Sequence, residues 1–167
     1  MFEKFGNMTT EELNKAAAGL KEEGDIQSLK TLALENGLDE MDAEDYADGL
    51  TEEFASPLMA ALGKLKVEEE ALKPEGILND WIGYIRFQVS QDHDMQITVR
   101  QKDKTLTGCI GAILKWAFGH QWTVPPEIIK AAGVSASRVT LGEPDMRKAK
   151  SIIAEYYGGR ACGKKNS

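Results

Sequence analysis

The chain has little of the chemistry on which most enzymes depend. Its 167 residues include two histidines, His93 and His120, and two cysteines, Cys109 and Cys162. The cysteines lack the close spacing of a metal-binding pair, and no Ser or Cys lies in the context of a nucleophile elbow. No glycine-rich loop precedes a helix in the manner of a phosphate-binding loop. We therefore expect a protein that is not an enzyme and that uses neither a metal nor a cofactor.

Long apolar runs are also missing. The longest, from Cys109 to Phe118, is interrupted by Lys115 and is too short to span a bilayer. The opening residues MFEKF lack the basic flank and apolar stretch of a secretory signal. Two widely separated cysteines are typical of free thiols in a reducing compartment. We expect a cytoplasmic protein that does not contact a membrane.

Acidic and basic residues are segregated along the chain. Residues 1–80 carry 20 Asp and Glu against 7 Lys and Arg, a net charge of −13, whereas residues 81–167 carry 7 against 13, a net charge of +6. Residues 35–53 contain nine carboxylates and no basic side chain. A block of this kind creates a strong local field, which requires either a cationic partner or the basic half of the same chain to balance it.

Helical periodicity and helix-start signals predict a mainly α-helical fold. Thr9 and Glu12 form a capping-box pattern, and Ser56 followed by Pro57 is a second start signal. Asp42 is expected to cap a short helix inside the acidic block. The spacing leaves 95–100 open between a short strand and a turn of helix, and 137–141 is predicted to be extended.

Two later helices are expected to supply much of the core. The first, capped by Thr105, is the most apolar segment of the chain, and the last begins at Pro144. The side chains predicted to be buried are Leu106, Ile110, Ile113, Leu114, Ala117 and Phe118 on the first helix and Met146, Ala149, Ile152, Ile153 and Tyr156 on the last. Turn residues further predict an acidic helical region over 1–55, a helical core domain over 56–157 and a flexible basic tail over 158–167.

The acidic block is the preferred candidate binding site. Rows of carboxylates along a surface can imitate a phosphate backbone and occupy a cationic groove that normally holds nucleic acid. A solvated face without a partner, or one neutralised by the basic half, is the alternative. The candidate partner-binding residues are Glu40, Asp42, Glu44, Asp45, Asp48, Glu52 and Glu53.

The basic half offers a second candidate site, for DNA. The sequence AAGVS at 131–135 is similar to the turn of a helix-turn-helix. Gly142 and Pro144, however, leave little room for a recognition helix, and the residues in between favour an extended form. A helix end followed by a short strand is therefore the preferred interpretation of this segment. The candidate nucleic-acid-binding residues are Lys130, Arg138, Arg147, Lys148 and Lys150.

The tryptophans support either core packing or an interface. Trp81 fits the buried stripe of a helix, whereas Trp116 lies off the main apolar face of its helix and Trp122 precedes two prolines. A surface for a partner or for a homodimer therefore stays open.

Two stretches carry a resemblance to known proteins: KTLTGC at 104–109 leading into ILKWA at 113–117, and AKSIIAEYY at 149–157. Together they resemble the small PcfK-like proteins of bacterial conjugative elements, and a group of Cas9 inhibitors, or anti-CRISPR proteins, carried on such elements. The similar part covers roughly residues 76–157. The resemblance implies a non-enzymatic protein that binds a CRISPR effector nuclease or acts in transfer of the element. It assigns no individual binding residue.

Overall fold

The computed structural model describes residues 4–158, and the fold is mainly α-helical, as predicted. Most of the tail predicted over 158–167 lies outside the described residues. In chain order the elements are α1 (Thr10–Glu23), α2 (Ile26–Glu35), α3 (Glu40–Ala47), α4 (Pro57–Leu72), α5 (Ile77–Gln91), α6 (His93–Val99), α7 (Leu106–Gly119), β1 (Trp122–Thr123), α8 (Pro126–Ala131), β2 (Thr140–Leu141) and α9 (Met146–Tyr156).

The helix-start signals act as predicted. The Thr9 hydroxyl accepts a hydrogen bond from the Glu12 amide at 3.2 Å, and the Glu12 carboxylate accepts one from the Thr9 amide at 3.0 Å. The Ser56 hydroxyl likewise accepts from the Met59 amide at 3.2 Å. These bonds satisfy amides that have no partner within the helix, so α1 and α4 begin where the sequence indicates.

The third helix begins earlier than predicted. Asp42 does not cap it; α3 starts at Glu40 after the extended residue Asp39. The Asp42 carboxylate instead lies in the first turn and accepts a hydrogen bond from the Asp39 amide at 2.9 Å. Asp42 therefore supplies the second hydrogen bond of a capping box, because a carboxylate at the third helical position can accept from the backbone amide of the residue before the helix.

Helix α4 connects two apolar cores. Ala60 belongs to the first core, whereas Ala61 and Leu65 belong to the second. The first core also contains Leu13, Ala17, Leu29, Leu32, Ala33, Leu38, Ala43, Tyr46, Phe54 and Ala55. The second contains Trp81, Ile82, Ile85, Val89, Met95, Val99, Leu106, Cys109, Ile113, Ala149, Ile152, Ile153 and Tyr157. The predicted boundary at residue 55 thus lies just before the helix that the two cores share.

Residues 95–99 are helical and Arg100 ends the helix in a turn, so the extended alternative for 95–100 is wrong. The Asp92 carboxylate accepts a hydrogen bond from the Met95 amide at 3.2 Å and caps α6. Met95 and Val99, four positions apart, are the buried residues of this helix, as helical geometry requires. Extended structure does occur in the second predicted place, where Thr140 and Leu141 pair antiparallel with Thr123 and Trp122.

Helices α7 and α9 are less buried than predicted. On α7, Leu106, Cys109 and Ile113 are buried, but Leu114 and Phe118 are exposed. On α9, Ala149, Ile152 and Ile153 are buried, whereas Met146 is exposed. Tyr157 takes the buried place predicted for Tyr156, which is only partly buried. Apolar composition does not indicate which side of a helix has a neighbour.

Candidate functional site

The acidic surface consists of Glu40, Asp42, Glu44, Asp45, Asp48, Glu52 and Glu53, on α3 and the turns that follow it. Ala43 and Tyr46 anchor α3, because both are buried in the first core. The Tyr46 ring makes an edge contact with Phe54, with ring centroids 5.6 Å apart. Packing of the inner face leaves the charged residues outward: all are exposed except Asp42 and Asp45, which are half-buried.

One lysine of the acidic half shares this surface. The Lys30 ammonium donates a hydrogen bond to the Glu44 carboxylate and lies 3.8 Å from a carboxylate oxygen of Glu40. The bond to Glu44 is the main reason that the pKa of Lys30 is raised above its ordinary value. Asp45, Asp48, Glu52 and Glu53 form no ion pair within residues 4–158.

A cleft of about 260 Å³ opens within the acidic surface. Three carboxylates line it, from Asp42, Asp45 and Glu53, together with the apolar side chains of Phe54 and Met59. An arginine or lysine side chain combines an apolar stem with a cationic head. The cleft therefore has the chemistry to receive such a side chain from a partner.

Within residues 4–158, the basic half forms no ion pair with the acidic surface. Cations from beyond position 81 form ion pairs with other carboxylates: Lys102 lies 2.7 Å from Glu12, and Arg86 contacts Glu69. In the part of the chain that the structure describes, neither these nor any other basic residue from beyond position 81 pairs with the seven carboxylates.

The largest electrostatic feature of the interior was not predicted from the sequence. Lys64 and Arg100 are fully buried between the two cores, and Glu68 is nearly so. The Arg100 guanidinium donates to the Asn36 side-chain oxygen at 3.0 Å and to the Ala60 carbonyl at 3.3 Å. The only feature of the sequence that pointed to this buried cluster was Lys64, which follows an apolar stretch at the start of α4. Through Arg100, this cluster connects the acidic half of the chain to the basic half in the interior of the fold.

Burial also sets the ionisation of this cluster. Desolvation lowers the pKa of Lys64 to about 8 and that of Arg100 to about 10, because burial disfavours the charged form of a base. Desolvation raises the pKa of Glu68, although the nearby Lys64 charge opposes the shift. The Glu68 carboxylate accepts a hydrogen bond from the Leu106 amide at 3.2 Å, at the start of α7.

The candidate DNA-binding residues lie on or beside three different elements. Lys130 lies on α8 and Arg138 precedes β2, while Arg147, Lys148 and Lys150 lie on α9. The Lys148 ammonium is 5.5 Å from the Trp116 ring centroid, whereas the Lys150 ammonium is 4.8 Å from that of Tyr84. The two lysines of α9 are thus directed toward different aromatic side chains.

The segment resembling a helix-turn-helix has no recognition helix. Helix α8 has six residues and is followed by Gly133 with a φ of +66°. Residues 134–139 contain no helix, and β2 follows. The preferred interpretation, a helix end and then a short strand, is confirmed.

Of the other reactive side chains, Cys109 is buried and His120 packs against an aromatic ring. Cys109 is fully buried, and desolvation raises the pKa of its thiol to about 12. The His120 ring stacks on Trp116 with centroids 4.0 Å apart. Within the described ranges, no cluster of three or more His, Cys, Asp or Glu side chains is arranged to hold a metal ion. Cys162 lies outside the described residues.

Comparison of the chain with protein-family models, curated proteins and solved structures gave no match. Among residues 4–158, none of the helices has the length and apolar character needed to cross a membrane.

Proposed function

We propose that this protein is a non-enzymatic inhibitor, from a mobile genetic element, that binds a Cas9-type CRISPR nuclease. In this proposal the acidic surface occupies a cationic groove that otherwise holds nucleic acid. The observation that supports it is that the seven carboxylates receive no cation from the basic half of their own chain among the described residues. A surface already neutralised internally would have little attraction for a basic groove.

The form of the acidic surface suits this role. Glu40, Glu44 and Asp48 follow one another at four-residue intervals and are exposed. Four helical residues rise about 6 Å, whereas successive phosphates of one B-DNA strand rise roughly 3.4 Å. The carboxylates on α3 thus form a regular row of negative charge, as the phosphates of a nucleic-acid strand do. The cleft beside them adds a place for an arginine or lysine of the groove.

Cas9-type nucleases supply the matching chemistry. They hold nucleic acid in positively charged channels and read a short DNA motif with arginines. The resemblance of residues 76–157 to Cas9 inhibitors and to PcfK-like proteins of conjugative elements points to the same class of partner. The basic half then serves chiefly as the folded support for α3, through α4.

Complex formation tests the proposal directly. Guide-loaded Cas9-type nuclease is mixed with the purified protein and analysed by gel filtration at about 0.1 M and about 0.5 M salt, because screening weakens contacts between exposed charges. We expect co-elution that weakens with salt and is lost when the nuclease is first loaded with target DNA. Equal binding to the DNA-loaded nuclease would contradict the acidic-surface mechanism. Retardation of free DNA without nuclease binding would instead support a DNA-binding accessory protein.

A further inference from the structure

A second groove, of opposite chemistry, lies between α7 and α9. Its volume is about 510 Å³. The residues lining it are Ala112, Lys115, Trp116, Lys148, Ile152, Glu155 and Tyr156. Two ammonium groups, from Lys115 and Lys148, and one carboxylate, from Glu155, therefore lie at this groove, and its other walls are largely apolar. Lys115 forms no ion pair within the described part of the chain.

The aromatic rings of this groove are already covered. Trp116 is stacked by His120 with an interplanar angle of 8° and is also approached by the Lys148 ammonium. The Tyr156 ring contacts the edge of Tyr157 and has the Lys104 ammonium 5.1 Å from its centroid. Binding of bases to single-stranded nucleic-acid sites depends on open aromatic faces. These contacts favour a ligand with carboxylates and an apolar side chain over a nucleobase.

Two large apolar side chains of α7 that do not line the groove are also exposed. Leu114 and Phe118, on the outer side of α7 beyond Lys115, are 56% and 72% exposed. Large apolar side chains grouped on a surface commonly mark an interaction site. A fitting occupant of the groove carries acidic groups for the lysines and apolar groups for walls such as Trp116 and Ile152.

This chain carries such an occupant on its own acidic surface. Met41 on α3 and Leu50 after it are 69% and 73% exposed, and Glu44 and Asp48 lie near them in sequence. A short amphipathic helix with acidic and apolar residues is suited to a groove between two helices. The opposite net charges of the two halves, −13 and +6, also favour contact between unlike halves of two molecules.

We propose that α3 of one copy docks in the groove between α7 and α9 of a second copy. The contact covers the acidic surface of the first copy. Self-association, promoted by high protein concentration and low salt, therefore competes with binding of any other cationic partner. This regulatory consequence rests on the proposed function, but the docking is tested with the purified protein alone, so that its failure would leave the nuclease-binding proposal standing.

Charge reversal on each side of the contact provides the test. Sedimentation velocity is measured for the wild type, for a groove variant with Lys115→Glu and Lys148→Glu, and for a helix variant with Glu44→Lys and Asp48→Lys. We expect wild-type association that rises with protein concentration and disappears at about 0.5 M salt, where the Debye length is roughly 4 Å. Each variant alone should sediment as a monomer.

An equimolar mixture of the two variants is the decisive sample. It should associate again, because each reversed surface then meets its complement, and this recovery also shows that both variants are folded. The control Lys66→Glu, at an exposed position of α4, should associate like the wild type. A wild type that stays monomeric at every concentration in low salt, or a mixture that fails to recover, would overturn the proposal. Association of both charge-reversal variants on their own would also overturn the proposal.

Discussion

The Arg100 guanidinium donates a hydrogen bond to the side-chain oxygen of Asn36 at 3.0 Å, across 64 positions of sequence. Asn36 ends α2 and Arg100 ends α6, so the bond connects an element of the first core to one of the second. Both residues are fully buried. The acidic and basic halves are thus joined through an internal polar contact, while the carboxylates of the acidic surface stay outside it.

Replacing Arg100 with methionine should destabilise the fold. The change leaves the Asn36 oxygen without its partner, and an unsatisfied buried polar group costs about 1–3 kcal/mol. We expect the free energy of unfolding, measured by urea denaturation, to fall by that order, and the effect of a second change, Asn36→Ala, to be smaller in this background than in the wild type. Arg147→Met, at an exposed position, is the control and should change little. If the losses in unfolding free energy for Arg100→Met and Asn36→Ala simply add in the double variant, the two side chains have no coupling energy.

The buried Lys64 should make stability depend on pH in the alkaline range. Its ammonium donates to the carbonyls of Val99 at 2.8 Å, Gln101 at 3.0 Å and Lys104, yet burial lowers its pKa from 10.5 to about 8. The unfolded chain then binds more protons than the folded one between these values, so stability contributed by this group rises with pH across that window.

Comparing the wild type with Lys64→Met isolates the pH dependence of stability that Lys64 contributes. The comparison is needed because Arg100 also has a lowered pKa. The variant should be less stable than the wild type at pH 8, because the carbonyls of Val99 and Lys104 lose their Lys64 donor and the Gln101 carbonyl loses one of its two donors. The deficit should widen toward pH 10. Urea denaturation at several pH values measures both quantities. A deficit that narrows as the pH rises would contradict the lowered pKa.

Two glycines allow α2 and α4 to meet. A Cβ placed on Gly63 would lie 2.2 Å from the Asn36 carbonyl oxygen, and one on Gly37, whose φ is +72°, would lie 2.2 Å from the Gly63 carbonyl oxygen. Both obstacles are backbone atoms, so the helices themselves must move apart.

We expect Gly63→Ala to lower the free energy of unfolding by about 1–3 kcal/mol or more, the typical cost of overpacking. Gly83→Ala is the matched control in α5, where a Cβ meets nothing within 4 Å. The control should be stabilising by roughly 0.5–1 kcal/mol, since alanine is the better helix former. Thermal or urea denaturation measures the free energy of unfolding of both variants. If Gly63→Ala leaves that free energy unchanged, α2 and α4 pack less closely than the structure indicates.

Local signals made the starts of α1 and α4 predictable, whereas contacts between residues far apart in sequence were not predictable. Thr9, Ser56 and Asp25 form their caps with residues three positions away, so a short window of sequence contains the whole interaction. The contact between Arg100 and Asn36 depends on how α2, α4 and α6 pack, and no short window of sequence contains all three helices. Residues 95–100 stayed undecided because a helix as short as α6 has few repeats of its pattern.

The candidate site was predictable in composition but not in geometry. The sequence alone indicates that residues 35–53 are acidic, yet it does not show that Ala43 and Tyr46 turn inward or that Lys30 lies beside Glu44. The exposure of Leu114 and Phe118 was missed for a related reason. An apolar side chain is buried only where another element covers it, and none covers that side of α7 in the described structure.

Inhibition of DNA cleavage tests the central claim, that the carboxylates of the acidic surface make the functional contact. Three of them are exposed and form no ion pair within residues 4–158, so their reversal should spare the fold. The test variant combines Asp48→Lys, Glu52→Lys and Glu53→Lys. The control reverses the same number of exposed charges elsewhere, as Glu22→Lys, Glu23→Lys and Glu70→Lys.

The measurement is the rate at which a guide-loaded Cas9-type nuclease cleaves target DNA in the presence of each protein. We predict that the wild type and the control variant slow cleavage and that the acidic-surface variant does not. Equal inhibition by the acidic-surface variant and the wild type would contradict it.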